Sequence, residues 1–359
     1  MRPDSKSLFR WQHMAMLVPV AVCCLPVCAE VKNKTLTALI WEGTLSDEVI
    51  ETWHNQTGWT VEQVVFDNDD ERDRILEDDR NQAIDLVVVS SPAGDDFGKR
   101  ELLQPIDWDK IPNRQYLDAN WRNACGEYSI PYSWGTLGIV YRADKVAAPV
   151  GWNVLIAPEP AVAGHVGMVK DVTDTFAPVL AMLGHNLNTA DAQALQGAYT
   201  LLSKQRPSVL TYQYAYSWLS QHPQDETLWL AMGYSGDHHA LNELTHSDHW
   251  RYAVPREGTY LWVDCIGITK ETAHASEALS FLNLINEPQL AAINAEAVGM
   301  ATANAAAIAL APESYRNDAE LFPSPEILTH STTYEVLDPR SLQLRERILQ
   351  SLMRQHESQ

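Results

Sequence analysis

Trp262 and Asp264 stand two residues apart in an apolar run, and their types suit the recognition of a cation. On a strand, residues i and i+2 share a face, so the indole and the carboxylate can address one ligand. The apolar Val263, Ile266 and Ile268 beside them predict that strand, against the alternative of a surface pair on an edge. Asp171 and Asp174 belong to Asp-Val-Thr-Asp ahead of Phe176, Val179, Leu180 and Leu183, the spacing of a helix N-cap box. A capping Asp171 spends its oxygen on backbone N–H groups, which leaves Asp174 to face a ligand. Gly233-Tyr234-Ser235-Gly236 invites comparison with a serine nucleophile. It fails the G-x-S-x-G elbow because the second glycine comes one residue too early.

His239, Glu243 and His246 follow the i, i+4, i+7 spacing of one helical face, which raises a transition metal as a candidate. Three ligands strung along one helix span too far to close around an ion unaided. The run His238, His239, His246 and His249 is therefore read as a solvated or partner-facing helix that responds to pH. No nucleophile–base pair and no cofactor motif emerges, so a binding protein is favoured over a hydrolase or metalloenzyme.

Alternating patterns position these residues. Thr35 to Trp41 is a short apolar strand, and Ser46 starts a helix with Val49, Ile50 and Trp53 on one face, ending at Gly58. Trp59 to Phe66 is strand-like, Asp70 to Arg80 a charged helix, and Ile84 to Val89 a buried parallel strand. This β-α-β-α-β order predicts a parallel sheet covered by helices on both faces. Ligands bind beyond the carboxyl ends of such strands, so Trp41 and Ser90 are placed to face a cleft. Tyr128 to Tyr141 reads as a strand leaving the first sheet, followed by a second α/β region from about 143 to 262. Another strand begins near Asp264, and a last helix from Arg340 to Arg354 carries Leu342, Leu344, Ile348, Leu349 and Leu352 along an apolar stripe.

The chain of 359 residues exceeds one compact core, so two domains are expected. Arg2, Lys6 and Arg10 precede an apolar run from Met14 to Val27, and Val27-Cys28-Ala29 offers small residues at a cleavage site. Residues 1–29 are expected to be a secretory signal, with the mature start near Glu30; a membrane anchor is the alternative, disfavoured by the short run. The net charge is −21, and about −23 without that segment, a surface that repels nucleic acid and attracts cations. Export would leave Cys125 and Cys265, which either pair or remain buried thiols.

Tyr128-Ser129-Ile130-Pro131-Tyr132 with Trp134-Gly135 resembles the crossover segment of periplasmic spermidine/putrescine-binding proteins, and Gly258 to Asp264 is similar to their second crossover. Gln56-Thr57-Gly58, Asp85-Leu86-Val87-Val88, Gly233 to Asp237 and Phe322-Pro323 fall in the same order, so the likeness runs from about 35 to 350. It implies an α/β Venus-flytrap fold of the periplasmic binding proteins, with two α/β lobes joined by crossing strands near Gly138 and Asp264. Lobe 1 would comprise 30–138 plus 264–308, and lobe 2 139–263 plus 309–359. Within that family the likeness is greatest to the branch of norspermidine sensors. That branch implies a polyamine ligand, norspermidine or spermidine, and a membrane-bound cyclic-di-GMP phosphodiesterase as receptor partner. An ABC permease is the alternative partner, and the protein is expected to be a monomer.

A polyamine is a flexible apolar rod carrying two to four ammonium groups. Burying it takes carboxylates that offset charge desolvation and aromatic faces that cover the methylenes. The resemblance assigns this work to Trp41, Ser90, Asp171, Asp174, Tyr234, Asp237, Trp262 and Asp264. Glu42 is a shifted substitute for the acid or hydroxyl that the family places after the first tryptophan. Pro92 and Met300 stand where the family often has aromatic residues, so the first-lobe half of the cleft is reshaped.

Overall fold

A computed structural model describes residues 34–66, 69–77 and 83–358. The expected signal segment, 1–29, lies outside them. In chain order the strands are β1 (Thr35–Ile40), β2 (Thr60–Val65), β3 (Leu86–Ser90), β4 (Leu103–Gln104), β5 (Ser129–Arg142), β6 (Val166–Gly167), β7 (Val209–Thr211), β8 (Leu230–Tyr234), β9 (Trp250–Ala253), β10 (Tyr260–Thr269), β11 (Ala301–Thr302) and β12 (Thr332–Thr333). Helices α1 (Asp47–Thr57), α2 (Asp69–Glu77) and α3 (Ser91–Lys99) alternate with the first three strands; the first two match helices read from the sequence, and α3 was not read there. Gly58 ends α1 in the left-handed region (φ 72°), which a residue with a Cβ adopts only at a cost.

The strand order is β2-β1-β3-β10-β5-β8-β6-β7. β1 pairs parallel with β2 and β3, while β10 runs antiparallel between β3 and β5. β5 is the long strand that serves two neighbourhoods. Its first part, up to Thr136, pairs with β10, and from Leu137 it pairs with β8 and β9.

Two large hydrophobic cores follow this changeover, beside a smaller third cluster of Val140, Leu219, Leu241 and Trp250. One gathers Leu36, Val49, Trp53, Val87, Trp134, Leu261, Val263 and Phe281. The other gathers Leu137, Trp152, Phe176, Leu195, Met232, Tyr260 and Leu352. The chain passes from one core to the other between Trp134 and Leu137 and again between Tyr260 and Leu261. Ala311, Tyr315 and Leu321 pack in the first core, although the sequence reading had grouped 309–359 with the second lobe.

Cys125 and Cys265, both in the first core, are joined as a disulfide with their Cα atoms 5.9 Å apart, and the chain between them, 140 residues in separation, runs through the second core. The C-terminal helix Pro339–His356 lays Ile348, Leu349 and Leu352 against the second core. Its Arg345 is also fully buried, donating to the carbonyls of Leu187 (2.7 Å) and Thr189 (3.2 Å) over the Phe176 ring. Among the described residues no helix is long and apolar enough to cross a membrane.

Candidate functional site: a cleft of carboxylates and aromatic rings

The site begins on β10. Trp262 lies opposite Gly135 and Asp264 opposite Ser133 on β5, with Ser90 of β3 across from Asp264 on the other side. Directly paired residues project to the same face, so Ser90, Asp264 and Ser133 form a row beside the indole of Trp262. Val263 and Cys265 point the other way, into the core. Gly135 is required here, because a Cβ would collide with the Trp262 ring and with the hydroxyl of Ser235. The hydroxyl of Ser133 and the indole N–H of Trp262 are both buried without a hydrogen-bond partner. Orphaned polar atoms of this kind mark a place where a polar ligand group or a water is wanted.

Asp264 is partly exposed on β10. Burial pushes its carboxyl up to about 7; the negative charge of Asp69 adds to the rise, and the Arg72 guanidinium opposes it. Burial also carries Asp174 to about 7, with help from the charge of Asp171 and a smaller contribution from Asp69. Asp174 is 4% exposed, and both oxygens accept phenol hydroxyls: Tyr234 at 2.5 Å and Tyr334 at 2.7 Å. Those hydroxyls favour the ionised form. Tyr334 stacks on Tyr260 with ring centres 4.2 Å apart, which fixes its reach. The negative charge of Asp69 raises the carboxyls of Asp174 and Asp264 alike.

Asp171 caps the turn as the sequence predicts, accepting the amides of Thr173 (2.6 Å) and Asp174 (2.8 Å) with its Oδ1. It is exposed beside Asp174. Asp237 has a different surrounding from the one its spacing suggested. Its Oδ2 accepts the Tyr234 amide at 2.6 Å, and the Tyr214 hydroxyl donates to it, so it holds the Tyr234 backbone in place. Burial raises Asp237 to about 6 against those two donors. Trp41 is partly buried at the end of β1, packed on Phe66 with centres 4.2 Å apart, and Glu42 stands exposed on the turn that follows. The turn is tied down by Thr44, whose hydroxyl donates to the Trp41 carbonyl while its own carbonyl accepts from Tyr132 (2.6 Å). Ser90 is partly exposed, and its hydroxyl makes no capping bond to α3.

The sequence reading missed Tyr334, Tyr214, Ser133 and the pair Asp69–Arg72. Tyr334 lies 160 residues from Asp174, and nothing in local spacing signals that contact. The histidine run departs from its expected helical face. The helix Asp237–Thr245 ends before His246, which adopts a left-handed conformation at φ 49°. His238 is buried, with its Nε2 3.1 Å from Glu320, and His249 sits beside Asp248 at the surface. Among the described residues no group of three or more potential ligands is arranged to hold a metal ion. Ser235 is not placed as a nucleophile: its hydroxyl accepts the Thr136 amide at 3.2 Å.

In chemical terms the arrangement offers two carboxylates that ionise at a cost, Asp174 held by two phenol hydroxyls and Asp264 on the strand face it shares with the Trp262 indole. A cation arriving there would regain the charge pairing that burial denies them, and the rings would cover attached hydrocarbon.

Comparison with known proteins agrees with that geometry. Residues 48–323 match the model of the bacterial extracellular solute-binding proteins. The norspermidine sensor of Vibrio cholerae is 35% identical over 335 residues, covering 92% of each chain. The putrescine-binding periplasmic protein SpuD of Pseudomonas aeruginosa is 28% identical, covering 86% of this chain and 89% of its own. Among solved structures, a spermidine/putrescine ABC transporter substrate-binding protein from Streptococcus pneumoniae superposes with a TM-score of 0.79 at 25% identity, covering 90% of this chain and 99% of that one. The two cores joined by β5 and β10 are accordingly the two-lobed α/β fold of periplasmic binding proteins, and the chain belongs to the bacterial extracellular solute-binding proteins, alongside the periplasmic spermidine/putrescine-binding proteins.

Proposed function

We propose that this protein is a periplasmic polyamine receptor that closes on norspermidine or spermidine and signals to a membrane-bound cyclic-di-GMP phosphodiesterase controlling biofilm formation. The observation that carries the polyamine reading is the pair Asp174 and Asp264, the first buried and the second partly exposed, set beside opposite cores and each pushed up to about 7 by desolvation. Asp174 takes its hydrogen bonds from phenols rather than from a cation of the protein. The name of the 35%-identical relative supports norspermidine as ligand and sensing as role. The disulfide supports an oxidising compartment. In this reading the lobes are 35–136 with 261–322, and 137–260 with 334–356. The ligand lies between Trp41, Ser90, Trp262 and Asp264 on one side and Asp174, Asp171 and Tyr234 on the other. Asp237 supports Tyr234, Glu42 guards the rim, and no catalysis takes place.

Delivery of a polyamine to an ABC permease is the second reading, favoured by the transporter component among the similar structures. Calorimetry tests the common core of both: Asp264→Asn and Trp262→Ala are each expected to weaken norspermidine binding by about tenfold or more. Unchanged affinity in both variants would sink the polyamine reading. Polyamine uptake and biofilm mass in a deletion strain then separate the roles. Normal uptake with altered biofilm supports the sensor, and lost uptake supports the transporter.

A further inference from the structure

One buried pair joins the two halves without taking part in the cleft. The helix Asp237–Thr245 follows Tyr234 and packs Leu241 with Val140, Trp250 and Tyr252, beside the part of β5 that lies beyond Leu137. The stretch 318–322 belongs to the other half, because Leu321 lies in the first core and Phe322 packs on Trp134 and Tyr315. His238 reaches out from the helix and Glu320 from that stretch, and the imidazole Nε2 lies 3.1 Å from a carboxylate oxygen. His238 is 8% exposed, and the Glu320 side chain 28%. A second approach lies alongside. Gly299 ends the first-core helix Pro288–Val298, and a Cβ there would stand 3.8 Å from Cδ2 of His239, whose ring lies 3.9 Å from that of His238.

Burial pushes His238 down to about 4 and Glu320 up to about 6. At neutral pH the imidazole is therefore uncharged and the carboxylate ionised, so Nε2 carries the proton and donates it to Glu320. Nδ1 is buried without a partner, and this tautomer leaves only a lone pair there rather than an N–H. Asp318 and Arg251 act on both partners, His239 adds to the lowering of His238, and the Tyr252 amide supports the Glu320 carboxylate. A rotation of the halves about β5 and β10 would part the two groups and leave each without the other.

We infer that His238 and Glu320 form a latch between the two halves, which holds the empty protein together and so sets how much of it is ready to bind. This goes beyond the polyamine reading, and only the affinity arm of its test uses a polyamine.

The test places spin labels on Glu48→Cys and Lys204→Cys, exposed positions on α1 and on the helix Ala192–Gln205, which pack against the first and second cores. The distance distribution between them is measured with the native disulfide intact, first without ligand. His238→Leu and Glu320→Ala are each expected to move that distribution to longer distances and to weaken norspermidine binding about three- to tenfold. Saturating norspermidine should restore the wild-type distribution. The double variant should lose no more than the worse single one, since both remove one contact. An unchanged ligand-free distribution in both single variants overturns the inference, whatever happens to affinity. If one variant does not fold, the other decides on the same criterion. Asp264→Asn separates the two readings: it should weaken binding without moving the ligand-free distances, and no loss of affinity there removes the polyamine reading while the latch stands on the distances alone.

Discussion

Two phenol hydroxyls keep Asp174 in place before any ligand arrives, so its affinity for a cation and its proton uptake are set by the same neighbours. Removing one donor with Tyr334→Phe is expected to weaken norspermidine binding about three- to tenfold and to move the acid limb of binding to higher pH, measured by titrations across pH. Asp174 and Asp264 ionise near 7 in the folded protein against an ordinary 3.8. Between about pH 4 and 7 the native state then holds more protons than the unfolded chain, so ligand-free stability falls as pH rises through that window. Ligand works in the opposite sense, because an ammonium ion pairs with the ionised carboxylate. The rise in melting temperature on adding norspermidine is expected to be small near pH 5.5 and large near pH 8. Scanning fluorimetry with and without the amine checks both signs. Asp171 could be read in the sequence because a capping box is local, and Trp262 with Asp264 because a strand has a period of two. Tyr334 could not, since its partner is 160 residues away. Asp69 was passed over because the charged helix was read as starting one residue later, at Asp70.

At the scale of elements, the site depends on strands carrying small residues where rings must pass. Gly135 gives the Trp262 indole and the Ser235 hydroxyl their room. Gly135→Ala is expected to displace the indole, weaken norspermidine binding at least about tenfold and cost about 1–3 kcal/mol of stability, read from denaturant unfolding alongside calorimetry. The first three strands and the two helices between them were legible because apolar and charged patterns repeat within a few residues. The end of the histidine-bearing helix at Thr245 was not, because His246 closes it with a backbone conformation that composition does not announce. The C-terminal helix shows the same limit. Its apolar stripe was plain, but Arg345 inside it finds its carbonyl partners about 156 residues away in the chain.

At the scale of the molecule, two cores are built largely from different stretches of chain and meet along β5 and β10. The disulfide joins two residues of the first, but the stretch of chain it closes carries most of the second. Replacing both cysteines in Cys125→Ala/Cys265→Ala is expected to cost about 2–5 kcal/mol, seen as a lower midpoint of thermal or denaturant unfolding. With separate interiors spliced by two strands, heating the empty protein should melt the halves in sequence, as two overlapping calorimetric peaks. A guest gripped by acids from both interiors makes the fate of one half the fate of the other. The loaded protein should therefore melt in a single sharper peak, and the merging of two peaks into one would report occupancy without any label.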